Sequence, residues 1–106
     1  MAKRTVVWTE TAARQRREIL TYWVKRNGST LYAEKLIKLV SKQVKVIQSN
    51  PKLFRRADFP GTHVSVIGHF SIFYTYTKTM LIITAFWDNR QDPKKLLDML
   101  KKSGDK

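Results

Sequence analysis

The chain has 106 residues, no cysteine, and twenty-one Lys and Arg against eight Asp and Glu, for a formal net charge of +13. That length fits a single domain over residues 1–106, able to bury about two-thirds of its extended surface. The composition excludes a disulfide framework and Cys-type zinc sites, and neither a membrane-spanning run nor a signal-peptide core is visible, so a cytoplasmic protein without a membrane partner is expected.

Thr5, Val6, Val7 and Trp8 form a short β-branched and aromatic strand. Thr9 is placed to cap a helix whose first turn carries Glu10. Ala12, Ile19, Leu20, Trp23 and Val24 then share one helical face, and Asn27-Gly28 is a stop signal. Ser29 or Thr30 caps a second helix. Ala33, Leu36, Ile37, Val40, Val44 and Ile47 cluster on one side of it, with Lys35, Lys38, Lys42 and Lys45 roughly opposite. Asn50-Pro51 ends that helix, and the short link between the two predicts an antiparallel hairpin.

Residues 52–61 read as an ordered linker, pinned by Leu53, Phe54 and Phe59 and made more basic by Arg55 and Arg56. Three strands follow, over residues 63–67, 70–77 and 80–87, joined by the tight turns Gly68-His69 and Lys78-Thr79 into an antiparallel meander. Alternation sorts Ile72, Tyr74 and Tyr76 to one face and Phe73, Thr75 and Thr77 to the other. Asp92-Pro93 is a helix start, with Leu96, Leu97, Met99 and Leu100 as the apolar face of a short helix and residues 101–106 as a frayed tail. The fold class is therefore α+β: an N-terminal strand and a helical hairpin packed on a small antiparallel sheet, in the order β-α-α-β-β-β. The first strand joins that sheet beside a later strand that the residues do not identify.

The stretch MLIITAFWDNRQDP, residues 80–93, organises the rest. An apolar run suited to a central strand turns abruptly into Asp88, Asn89, Arg90, Gln91 and Asp92. A stiff strand with a polar tip holds side chains in fixed positions at a surface. The plainer reading is a core strand followed by a solvated turn, with Trp87 closing the core and Arg90 pairing with Asp88 or Asp92.

Chemistry is mostly excluded. There is no HExxH, no Cys pair, no glycine-rich phosphate loop, no GxSxG and no paired carboxylates in one pocket, so no metal or cofactor is expected. The remaining candidates are cations and aromatics. Metal-free RNA cleavage needs a base, an acid and a cation at the phosphorane, roles that His, Tyr, Lys and Arg can supply, and His63, His69, Tyr74, Tyr76, Trp87 and Arg90 lie on or near the expected sheet. The binding candidates are Arg90, Trp87, the stripe Lys35, Lys38, Lys42 and Lys45, and the pair Arg55 and Arg56. The charge excess calls for a polyanionic or acidic partner.

The segments TVVWTETA, IQSNP, GHFSIFYTY and above all ITAFWDNRQDP resemble the RelE/ParE superfamily of toxins from type II toxin–antitoxin pairs, over roughly residues 6–100. The resemblance implies a growth inhibitor neutralised by a cognate acidic antitoxin. It also implies one of two activities: ParE-like poisoning of DNA gyrase, or RelE-like cleavage of mRNA on the ribosome. Arg90 falls at the RelE-type arginine after the last strand. Ser71 stands where that type has an arginine after the aromatic, His63 and Ser65 stand for its basic strand residues, and no Tyr or His follows Arg90. The missing basic set favours the ParE-like branch, which is not an enzyme. A RelE-like endoribonuclease using His63 and Arg90 is the alternative, and a basic nucleic-acid-binding module without toxicity is a third reading.

Overall fold

The structure, a computed structural model, describes residues 3–90. The helix expected from Asp92-Pro93 and the tail 101–106 lie outside the described residues. In chain order the elements are β1 (Thr5–Trp8), α1 (Glu10–Asn27), α2 (Leu31–Ser49), a single 3-10 turn (Pro51–Leu53), β2 (His63–Ile67), β3 (Phe70–Tyr76) and β4 (Met80–Asp88).

The boundaries follow local chemistry. Thr9 is extended, and its Oγ1 accepts a hydrogen bond from the Ala12 N–H at 3.2 Å. That satisfies one of the orphan donors of a helix start. Gly28 stops α1 at φ 62°, a left-handed turn that a Cβ disfavours. At the start of α2 the side-chain bond comes from Ser29, whose Oγ accepts from the Leu31 N–H at 3.2 Å.

The four strands lie in the order β1-β4-β3-β2. β2 with β3 and β3 with β4 are antiparallel, the expected meander. β1 pairs with β4 and runs parallel to it, so the sheet is mixed rather than wholly antiparallel. The two helices between them supply the long crossover that a parallel neighbour requires. β4 is thereby an interior strand, which suits its apolar run.

The main core lies between the helices and one face of the sheet. Ala12 and Ile19 of α1 and Leu36, Val40, Val44 and Ile47 of α2 pack on Ile72, Tyr74, Leu81, Ile83 and Phe86. Each large apolar side chain buried there contributes about 1.5–3 kcal/mol before conformational entropy is charged against it. Ile37 does not join them and is 51% exposed. One residue past Leu36 it lies about 100° further round the helix, on the flank. The opposite face of the sheet carries a smaller cluster of Val64, Phe73, Ala85 and Trp87, covered by Ala57 and Phe59 of the linker. Phe54 packs on the main core, as expected, but Leu53 points into solvent.

One irregularity sets the phase of β4. Tyr74 pairs with Ile83 and Phe73 with Ala85, which leaves Thr84 as an extra residue. Such a bulge reverses the alternation beyond it. Leu81 and Ile83 face the helices; past Thr84 it is Phe86 that does so, while Ala85 and Trp87 turn to the other face.

Candidate functional site

The bulge would leave backbone groups unpaired in the interior, and side chains near the start of α1 take them up. Gln15, 3% exposed, accepts the Phe86 N–H on its Oε1 at 2.9 Å. The Thr9 hydroxyl reaches the Thr84 carbonyl at 3.4 Å. α1 thus holds the end of β4 by its backbone, and β4 delivers Asp88, Asn89 and Arg90 to the rim.

That tip is locked on all sides. Phe70 lies opposite Asp88 in the ladder, and its ring stacks on Phe86 at 5.6 Å. Ser71 donates to Asn89 Oδ1 at 2.7 Å, and the Asn89 N–H donates to the His69 carbonyl at 2.7 Å. Asp88 receives three bonds from Arg90: from the backbone N–H at 3.0 Å, from Nε at 2.8 Å and from Nη2 at 2.6 Å. The bidentate fork fixes the guanidinium plane. That plane sits 4.6 Å from the centre of the Trp23 ring and 5.8 Å from that of Phe70. These side-chain bonds from Arg90 hold the Asp88 carboxyl below the usual carboxylate range, and Asp88 in turn raises Arg90. The Asp88 side chain is 9% exposed and that of Arg90 43%. The guanidinium is therefore presented at the surface with one edge latched, and its other N–H donors remain for a second acceptor.

Beside this tip lies a cleft of about 640 Å³ between α1 and the end of β4. Tyr22, Trp23 and Phe86 give it aromatic walls, and Arg26 and Arg90 supply cations that Glu18 and Asp88 balance. The buried Trp23 Nε1 has no hydrogen-bond partner among the described residues. The cleft contains no histidine, and an arginine does not give up its proton, so it offers binding and charge but no proton transfer at its cations. Among the described residues no cluster of His, Cys, Asp or Glu is suited to hold a metal.

His63 is placed elsewhere. It pairs with Tyr74 across β2 and β3, its ring stacked on that tyrosine at 5.5 Å and near Tyr76 at 5.4 Å. Tyr74 is four residues along β3 from Phe70, or about 13 Å at the rise of a strand. His63 and Arg90 therefore do not meet at one phosphate, since acid–base partners must come within about 3 Å of the groups they serve. Tyr74 does not supply the missing acid. It donates to the Pro51 carbonyl at 2.6 Å, and burial together with Tyr76 pushes its phenol up to about 12.

The other expected residues separate as well. Trp87 is only 5% exposed, packed in the smaller cluster, so the bulge that turns Phe86 inward also sets this ring back from the surface. Lys35, Lys38, Lys42 and Lys45 are exposed on the face of α2 turned from the sheet, and Arg55 and Arg56 are exposed on the linker. Gln15 and Trp23 were not legible as parts of a site. A glutamine three residues after Ala12 and four before Ile19, on an apolar face, was the available signal for the first. The stacking of Trp23 under Arg90 is a long-range contact without a local mark.

Residues 6–93 match the family described as the ParE toxin of the type II toxin–antitoxin system parDE. No curated protein sequence matches the chain. Among solved structures it is similar to a chain of the chromosomal ParDE toxin–antitoxin system from P. aeruginosa, with a TM-score of 0.68 and 23% identity over 78% of this chain and 92% of that one. At that identity the likeness is one of fold.

Proposed function

The chain belongs to the ParE toxin family of type II toxin–antitoxin systems, and from that premise we propose that it arrests growth by binding DNA gyrase rather than by cutting RNA, with Arg90 as the principal contact. The observation that carries this reading is the latched Arg90: an exposed, planar, permanently charged group fixed on Trp23 and Phe70, with its carboxylate neighbour Asp88 tied up in the latch and His63 placed elsewhere on the sheet. Such a group recognises an acceptor on another macromolecule and performs no chemistry on it. The separation of His63 from Arg90 supports the same reading over a ribosome-dependent endoribonuclease.

A toxin of this family has a cognate antitoxin as its partner, and the net charge of +13 favours an acidic one. A toxin that acts on gyrase works in the cytoplasm, and the chain is read as one domain over residues 1–106. Among the described residues no helix is long and apolar enough to cross a membrane.

The test is a gyrase reaction with purified protein. Cleaved DNA is expected to accumulate with the wild-type chain and not with Arg90→Ala. Unchanged supercoiling at high toxin excess, together with mRNA cleavage in a translation extract that is lost in His63→Ala, is the result that contradicts it.

A further inference from the structure

The cleft at the tip of β4 holds more donors than its own acceptors meet. Arg90 lies over the Trp23 ring at 4.6 Å and Arg26 over the same ring at 6.0 Å, so two guanidinium groups share one indole. Arg90 spends one edge on Asp88, while Arg26 meets no carboxylate among the described residues. The other carboxylate that lines the cleft, Glu18, is 4.0 Å from Arg14. The buried Trp23 Nε1 adds a third donor without an acceptor among the described residues. Two like charges on one ring and a buried N–H without a partner are each costly, and an acceptor-rich anion is what such a set of donors lacks.

The walls indicate what else that anion carries. Tyr22 stands 53% exposed, its ring perpendicular to that of Trp23 at 5.1 Å. Together with Phe86 these rings line a space of about 640 Å³. A flat aromatic group joined to a phosphate suits both parts of it. The base stacks on Tyr22, and the phosphate takes the fork of Arg26 and the N–H groups of Arg90 that Asp88 leaves. An aspartate or glutamate side chain brings the charge but no ring to cover Tyr22. A second copy of this chain brings the same excess of positive charge and is repelled.

We propose that this cleft binds a nucleotide of unpaired DNA, with Arg26 and Arg90 on its phosphate, the Trp23 N–H on a phosphate oxygen and Tyr22 against its base. The contact then extends from one arginine to three side chains of α1. That the DNA is the DNA held by gyrase rests on the gyrase reading; the proposal adds that the acceptor met by Arg90 is nucleic acid and not a carboxylate of the enzyme.

The experiment follows the fluorescence anisotropy of a dye-labelled single-stranded DNA of about six nucleotides, titrated with the purified chain at two salt concentrations. Arg26→Ala is expected to weaken binding by about fivefold or more and to lower the salt slope by about one. Tyr22→Ala is expected to weaken it by about fivefold or more with the slope unchanged, because it removes stacking and no charge; Tyr22→Phe should bind within about twofold of the wild type. Lys25→Ala removes one charge from α1 outside the cleft and is also expected to stay within about twofold. All three positions are exposed, and circular dichroism checks that each variant folds. In the gyrase reaction Arg26→Ala and Tyr22→Ala are each expected to cut the yield of cleaved DNA by about fivefold or more. A wild-type chain that yields cleaved DNA with gyrase but does not bind the oligonucleotide overturns the site and leaves the gyrase reading standing. So does an affinity that Tyr22→Ala leaves intact, or a loss in Arg26→Ala that Lys25→Ala matches. A polyglutamate of equal charge that binds as tightly as the oligonucleotide, and loses as much in Tyr22→Ala, puts a protein carboxylate in the cleft and overturns it as well. Oligonucleotide binding that needs Arg26 and Tyr22, from a chain without effect on gyrase, supports the site and overturns the gyrase reading instead.

Discussion

At the scale of single residues, two titratable groups report on the fold through pH. Asp88 is held below its ordinary range by Arg90, so its contribution to stability is present above the unfolded carboxylate value, about 3.9, and is lost as pH falls below it. Asp88→Asn should flatten the acid side of the stability–pH curve; an acid limb identical to that of the wild type contradicts the latch. Tyr74 behaves in the opposite sense. Its phenol is raised to about 12, so its contribution is whole below the unfolded value of about 10 and is lost as pH rises towards 12. Tyr74→Phe leaves the Pro51 carbonyl without its donor and should cost about 1–3 kcal/mol near neutral pH while removing that alkaline loss. Denaturation in urea across pH measures both. The Arg90–Asp88 pair was one of two readings of this turn in the sequence, because a two-residue spacing permits the bond without requiring it. The stack on Trp23 was not legible, since residues 23 and 90 meet only through the tertiary fold.

At the scale of elements, capping and periodicity marked most of what the structure contains. Thr9 and Gly28 bound α1 as their side-chain and backbone preferences demand, and the apolar spacing in α2 identified all five of its buried positions. Ile37 was the error, because a stripe read by type alone does not say how wide the contact is. The bulge was invisible for a different reason: Thr84 sits in a run of apolar and β-branched residues that reads equally well in either phase. Only the partner strand and Gln15 decide which of Ala85 and Phe86 turns inward. Gln15→Leu removes the acceptor for the Phe86 N–H in a buried place. It should cost about 1–3 kcal/mol in urea denaturation, the penalty of an unsatisfied donor. A loss under about 0.5 kcal/mol, less than a typical single hydrogen bond contributes, means that the bulge does not depend on this side chain.

At the scale of the whole molecule, the division of labour follows the layers. Among the described residues the helices and β1 gather most of the positive charge and enclose an apolar groove, while the C-terminal half of α1 and the tip of β4 hold Arg26 and Arg90 at a second place. Net charge alone called for a polyanionic or acidic partner; where the charge of the described residues collects became clear only when the topology put β1 at the edge and both helices over one face. The most direct measurement is growth after induction of the chain without its antitoxin, for wild type, Arg90→Ala and His63→Ala, each checked for an unchanged thermal melt. Growth should resume in Arg90→Ala and stay arrested in His63→Ala. Arrest that persists in a folded Arg90→Ala protein, or that disappears in His63→Ala, contradicts a toxin that works through the arginine at the end of β4.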